Sequence, residues 1–279
     1  MRIFRFLAGV AAVLLVVSIS AAAQSADTLR VSILGDSSST FDGWLNPGFN
    51  AIWYFGEESP YTCKDNDVKK VEQTWWHQVI SDMGYKLERN NSYSGATICF
   101  TGYKDQKGVH GDYSDRSFIV RASNLGQPDI ILVCGGTNDS WCGAPIGDYK
   151  WKNWTDGDLH SFRPAMAKMC SELKTLYPEA RILFILNSEL KEEINGSVHR
   201  ICKRYGIECL DLHDIDKQSG HPSQAGMTSF AKQVEAPKQK VVVSTKVVDE
   251  NAGDTKPTQA EKNASINAGL REALNIGEK

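Results

Sequence analysis

The chain has 279 residues, 41% hydrophobic and 23% charged, an ordinary globular composition with enough apolar material for one sizeable core. Its 31 basic and 34 acidic side chains give a formal charge of −3, which argues against a partner held by a basic surface, nucleic acid above all. Seven cysteines (Cys63, Cys99, Cys134, Cys142, Cys170, Cys202 and Cys209) are an odd set, so at least one stays unpaired even in an oxidising compartment.

In residues 1–23, Arg2 and Arg5 precede an apolar run over about 6–17, and small residues follow to Ala21-Ala22-Ala23. Basic, apolar and small-residue regions in that order predict a secretory signal cleaved near Ala23. The run is shorter than the roughly 20 residues a membrane span needs, and no later segment reaches that length, so no stable membrane insertion is expected. Cleavage would leave 29 basic against 34 acidic residues, a formal charge of −5. The expected organisation is a signal over 1–23, one domain over 24–235 and a polar extension over 236–279, either disordered or packed on the surface. The mature protein is expected outside the cytoplasm.

Within 24–235 the elements alternate. A β-branched run at 29–34 ends in Gly35-Asp36-Ser37, and a long loop rich in Gly, Pro and aromatics follows over 41–70. Val71, Trp75, Val79 and Met83 recur at four-residue steps and predict a helix over 71–83, stopped by Gly84. A strand over 85–90, a polar loop over 100–117 and a helix over 119–125 come next. The continuous apolar run at 129–134 suits a strand covered on both faces. It leads into Gly135-Gly136-Thr137-Asn138-Asp139 and an insertion carrying Trp141, Tyr149, Trp151 and Trp154. A long helix capped at Asp158 or Ser161, a strand over 181–186, a helix over 192–205, a strand over 207–212 and a helix over 222–234 complete the domain. Strands and helices in this order predict an α/β fold, a parallel, doubly wound sheet with right-handed crossovers. Cys134 and Cys170 fall on apolar faces and read as small core residues, while Cys202 with Cys209, or Cys63 with Cys99, are conceivable bridges.

Four strand-end loops each offer one group that acyl transfer needs. Ser37 offers a hydroxyl, Gly95 a backbone N–H, Asn138 a carboxamide and His221 an imidazole. A hydroxyl becomes a useful nucleophile when a base takes its proton, and imidazole is the usual base near neutral pH. The N–H groups of Ser37 and Gly95 with the Asn138 amide supply three donors for the oxyanion that develops. The remaining histidines show no metal-ligand spacing, so no metal site is predicted. A Gly-x-Ser-x-Gly elbow is absent, which argues against the α/β-hydrolase fold.

Gly35-Asp36-Ser37, Gly95 in Tyr93-Ser94-Gly95-Ala96, Gly136-Thr137-Asn138-Asp139 and His221-Pro222-Ser223 resemble, in order, the four blocks of the SGNH/GDSL hydrolases. The resemblance covers about 29–234. It implies a flavodoxin-like three-layer α/β/α sandwich, an acyl-serine intermediate and no metal or organic cofactor. It also implies an ester substrate, since members are esterases, lipases, thioesterases and carbohydrate deacetylases. One departure matters: the family places an aspartate three residues before the histidine, where this chain has Gln218. Asp216 is the candidate carboxylate, with Asp214 beside it. The alternative is a Ser–His dyad oriented by a neutral acceptor, the Gln218 side chain or a backbone carbonyl, which stabilises an imidazolium less than a carboxylate would.

Both loops that overhang the expected crevice are rich in aromatics, and flat aromatic faces beside polar groups suit sugar rings. Trp44, Trp141 and Trp151 are the candidate substrate contacts. The reading is an extracytoplasmic carbohydrate esterase that removes acetyl or another short acyl group from a glycan. A lipase, lysophospholipase or thioesterase using the same residues is one alternative. A non-hydrolytic glycan-binding member or a transacylase is another.

Overall fold

The computed structural model describes residues 28–46, 51–59 and 66–236; the expected signal, Cys63 and residues 237–279 lie outside them. Five parallel strands form the central sheet: β1 (Arg30–Gly35), β2 (Lys86–Ser92), β5 (Ile130–Cys134), β6 (Arg181–Leu186) and β7 (Glu208–Asp211). Their order is β2-β1-β5-β6-β7. This is the doubly wound arrangement in which the winding reverses beside the first strand, and ligands gather outside the carboxyl ends of the strands at that point. Ser37 follows β1 and Asn138 follows β5, the two strands that meet there.

Period-two alternation sends successive strand residues to opposite faces. Val31, Ile33, Leu132 and Ile185 join a core with Trp75, Trp76 and Val79 of α1 (Trp75–Asp82) and Met227 and Phe230 of α6 (Gln224–Glu235). Trp75 and Phe230 stack at 4.3 Å and lock the two helices together. Leu34, Ile131, Val133 and Phe184 face the other way. They pack on Phe162, Met166 and Met169 of α4 (Phe162–Leu176) and Ile194, Val198 and Ile201 of α5 (Glu192–Tyr205). The three-layer α/β/α sandwich follows from these two apolar faces. No described helix is long and apolar enough to cross a membrane.

Three local elements differ from the sequence expectation. The helix over 71–83 is a 3-10 turn at Val71–Gln73 and then α1, because Thr74 between them is extended (φ −72°, ψ 145°). The helix over 119–125 is the single turn α2 (Phe118–Arg121). The polar loop over 100–117 contains a hairpin, β3 (Thr101–Lys104) and β4 (His110–Asp112), whose strands are too short to carry a readable alternation. A helix of six residues, α3 (Thr137–Cys142), rises directly from the Gly135-Gly136 turn.

Candidate active site

The turn that carries Ser37 is held from beneath. A Cβ on Gly35 would lie 2.6 Å from Ser92 Oγ and 2.7 Å from Ser39 Cβ, so only glycine fits between β1 and the turn. Asp36 caps the 3-10 turn Ser37–Ser39, its Oδ1 accepting from the Ser38 N–H at 3.0 Å. Burial raises the Asp36 carboxyl to about 6, and the buried Arg121 guanidinium acts against that rise. Arg121 is itself lowered to about 9 by burial. Its Nη1 donates to the carbonyls of Gly35 and Asn91, tying the ends of β1 and β2 together. Ser37 is buried and opens its turn, so its own N–H is one of the donors that a helical start leaves without an intrahelical partner.

His221 arrives on a second device. Strands β8 (Lys217–Gln218) and β9 (His221–Pro222) form a two-residue hairpin, with Gln218 opposite His221 and with Ser219 and Gly220 both at positive φ (49° and 77°). Two positive φ values in a two-residue loop are the signature of the tightest hairpins. Across 184 residues of sequence, Ser37 Oγ lies 2.9 Å from His221 Nε2. On the other side of the ring, Nδ1 lies 3.0 Å from the carbonyl oxygen of Ser219. A carbonyl can only accept, so Nδ1 carries the proton and Nε2 is left to accept from the Ser37 hydroxyl. Trp53 lies flat on the imidazole (ring centroids 3.6 Å, planes at 15°), and Trp141 meets it edge-on at 5.9 Å. Burial is the main cause that holds the His221 pKa below its ordinary 6.5, helped by the nearby Lys217 cation and opposed by the Ser219 hydrogen bond.

The carboxylates expected to orient the ring are engaged elsewhere. Asp216 Oδ2 accepts from the Ser223 hydroxyl, and its backbone carbonyl accepts from the Ser223 N–H, so Asp216 braces the start of α6 rather than His221. Asp214 is exposed and pairs with His213 at 3.0 Å. Gln218 Oε1 accepts from the Asp67 N–H at 2.8 Å. The partner of the imidazole is therefore a backbone carbonyl, that of Ser219. The physical reason is the hairpin: with only two residues between Gln218 and His221, the Ser219 carbonyl reaches Nδ1 before any side chain does.

The donor groups are fixed by their neighbours. Gly95 sits at φ 80° in the turn after β2, and its N–H has no acceptor among the described residues. Asn138 Nδ2 donates to the Ala96 carbonyl at 2.9 Å, which joins the Gly95 turn to α3. Tyr103 on β3 donates to Asn138 Oδ1 at 2.7 Å, so the amide is held in one orientation with a second N–H left over. Asp139 completes the junction, accepting from the N–H groups of Ile98 and Cys99 at 2.8 and 3.1 Å. Burial raises its carboxyl to about 6.

Of the three tryptophans expected at the substrate side, Trp141 alone touches the Ser37–His221 pair through the ring contact above. Trp44 rests on α1 beside Trp76 and His77. Trp151 stacks on Tyr149 at 5.4 Å and lies under Arg204 of α5, so it fastens its loop to that helix. The sequence reading named neither Trp53 nor Tyr103, and it kept a backbone carbonyl beside His221 as an alternative without saying which one; it is that of Ser219. Trp53 lies in a loop without periodicity, and a backbone carbonyl carries no side-chain signal at all. All six described cysteines are free thiols, Cys202 and Cys209 included.

Residues 29–237 match the GDSL-like lipase/acylhydrolase family. Among solved structures, a GDSL-like lipase from Bacteroides uniformis is 58% identical, with TM-score 0.70, covering 74% of this chain and 93% of its own. One from Bacteroides ovatus is 52% identical, with TM-score 0.70, covering 74% and 96%. A Lactobacillus plantarum protein at 18% identity (TM-score 0.51, covering 74% and 95%) shares the fold alone. None of the curated proteins matches the chain. With the strand order, the four loops and the family match in agreement, the chain belongs to the GDSL-like lipase/acylhydrolase family.

Proposed function

We propose that the protein is an extracytoplasmic serine ester hydrolase working through a Ser37–His221 dyad, and that its substrate is a short-chain acyl ester on a glycan. The observation that carries this reading is the 2.9 Å contact between Ser37 Oγ and His221 Nε2, on a ring whose other nitrogen faces a carbonyl. His221 takes the proton as Ser37 attacks the ester carbonyl. The tetrahedral oxygen is met by the N–H groups of Ser37 and Gly95 and the spare N–H of Asn138. Collapse releases the alcohol, which receives the proton from His221, and leaves an acyl-serine. Water, activated by the same imidazole, then frees the acid and the serine. No carboxylate faces the imidazolium in this scheme. The Ser219 carbonyl dipole and the face of the Trp53 ring stabilise it instead.

Trp141 supports the glycan assignment: the residue is 45% exposed and its indole stands beside the His221 ring, a surface for a sugar C–H face. A longer-chain lipase is the second reading, favoured because two relatives above 50% identity bear the name GDSL-like lipase. Hydrolysis of p-nitrophenyl esters from acetyl to decanoyl, with Ser37→Ala as control, tests both. The glycan-esterase reading expects the highest rate at acetyl and none above background in Ser37→Ala. Activity rising beyond butyryl supports the lipase instead. Equal rates in wild type and variant would remove the hydrolase and leave a binding protein.

A further inference from the structure

At the far edge of the sheet, α5 and β7 bring together three side chains that the proposed mechanism does not use. Cys209 and Asp211 stand two residues apart on β7 and project to the same side of the strand. His199 comes from α5, ten residues earlier than Cys209. His199 Nε2 lies 2.8 Å from Asp211 Oδ1, and Cys209 Sγ lies 3.9 Å from the same oxygen. All three donor atoms fall within 4.8 Å of one another. No sequence motif announces this set, because its members belong to different elements and only the packing of α5 on the edge strand unites them.

We infer that His199, Cys209 and Asp211 form a binding site for a borderline-soft divalent cation of the zinc class. One imidazole nitrogen, one sulfur and one carboxylate oxygen are the mixed donors that such ions choose, whereas magnesium and calcium take oxygen almost alone. Four-coordinate zinc, with bonds of about 2.0–2.3 Å, places its donors roughly 3.3–3.8 Å apart. The observed spacing therefore closes on an ion by side-chain adjustments of about 1 Å. That movement is available, since the side chains of His199 and Asp211 are 48% and 58% exposed. Three protein donors leave the fourth position to water. On binding, the Cys209 thiol gives its proton to solvent and the neutral His199 donates the Nε2 lone pair, so the site takes up the cation and releases one proton. The ion would pin β7, a strand paired on one side only among the described residues, to the helix that covers it.

One feature offers a rival outcome. The Cys202 thiol, also on α5, lies within hydrogen-bonding reach of Cys209, so oxidation could join the two sulfurs instead. The test uses the full chain, prepared with and without a mild reductant and titrated with Co2+ and then Zn2+. Expected are a sulfur-to-cobalt charge-transfer band that Zn2+ abolishes, a rise in melting temperature with Zn2+, and no change in ester hydrolysis. His199→Ala, at an exposed position, should keep the fold and bind Zn2+ at least about 100-fold more weakly, because even outer partners of metal ligands cost about 10–100-fold. Cys209→Ser should lose the charge-transfer band. The inference is overturned if no sulfur–cobalt band forms, if the band survives Cys209→Ser, if His199→Ala binds as wild type does, or if the protein made without reductant carries a Cys202–Cys209 disulfide.

Discussion

The turn that presents Ser37 and the hairpin that presents His221 solve the same positioning problem with opposite chemistry. The serine turn is braced by charge in the interior: Asp36 caps it, Arg121 clasps the carbonyls at the ends of β1 and β2, and Gly35 lets the chain close over Ser39 and Ser92. The histidine hairpin is braced by neutral groups: a carbonyl on Nδ1, an indole on the ring face, and the Tyr54 hydroxyl donating to the Pro222 carbonyl at 2.8 Å. Under the proposed dyad, the contrast bears on where the positive charge of the transition state would be met: formal charge lies behind Ser37, while His221 would rely on dipoles and a π face.

The largest effects should come from breaking the link between the two regions. Ser37→Ala and His221→Ala should each lower kcat by about 10^4–10^6-fold on p-nitrophenyl acetate, and the double variant should fall little further, since the two act as one unit. Asn138→Ala should lower kcat by about 10^2–10^3-fold with a smaller change in KM, as expected for a donor used mainly in the transition state. Trp53→Leu tests the neutral bracing of the base. Loss of a partly desolvated cation–π contact of ~1–2 kcal/mol should lower kcat about tenfold with KM nearly unchanged, and Trp53→Phe should recover part of it.

The pH profile sharpens the same contrast. In the proposed dyad His221 would act as a base only when neutral, and burial lowers its pKa, so the acid limb of kcat/KM should have its midpoint below 6.5. A midpoint at or above 6.5 would mean that a carboxylate acts on the ring after all. The smallest expected effect is the most diagnostic one. Asp216→Asn should change kcat less than about threefold, whereas removing the carboxylate of a charged triad costs about 10^4-fold. Circular dichroism of that variant separates any loss caused by a loosened start of α6.

Legibility divided along the same line as the chemistry. Gly35, Ser37, Gly95, Asn138 and His221 could be named from the chain because each is a distinctive residue type at the end of an apolar run, and strand ends are where such folds place their ligands. The layered sheet was legible for a related reason: the apolar strands and the helical faces of α4 and α5 repeat with periods that burial itself imposes. Asp216 looked like the partner of His221 because it is a carboxylate nearby in sequence, yet a two-residue hairpin puts the Ser219 carbonyl there first. Trp151 looked like a substrate platform because it is aromatic and follows Asn138, yet it packs under Arg204.

The amino-acid sequence by itself determined the α/β layering, the family and the residue types at the strand ends, because patterning and backbone chemistry are local and repeat along the chain. Only the tertiary structure decided what touches His221, which tryptophan borders it, and that His199, Cys209 and Asp211 share one corner. Those relations join residues on different elements or across a turn, from two positions apart for Ser219 and His221 to 184 for Ser37 and His221. They depend on how loops and edge elements settle on the body, which no periodicity encodes.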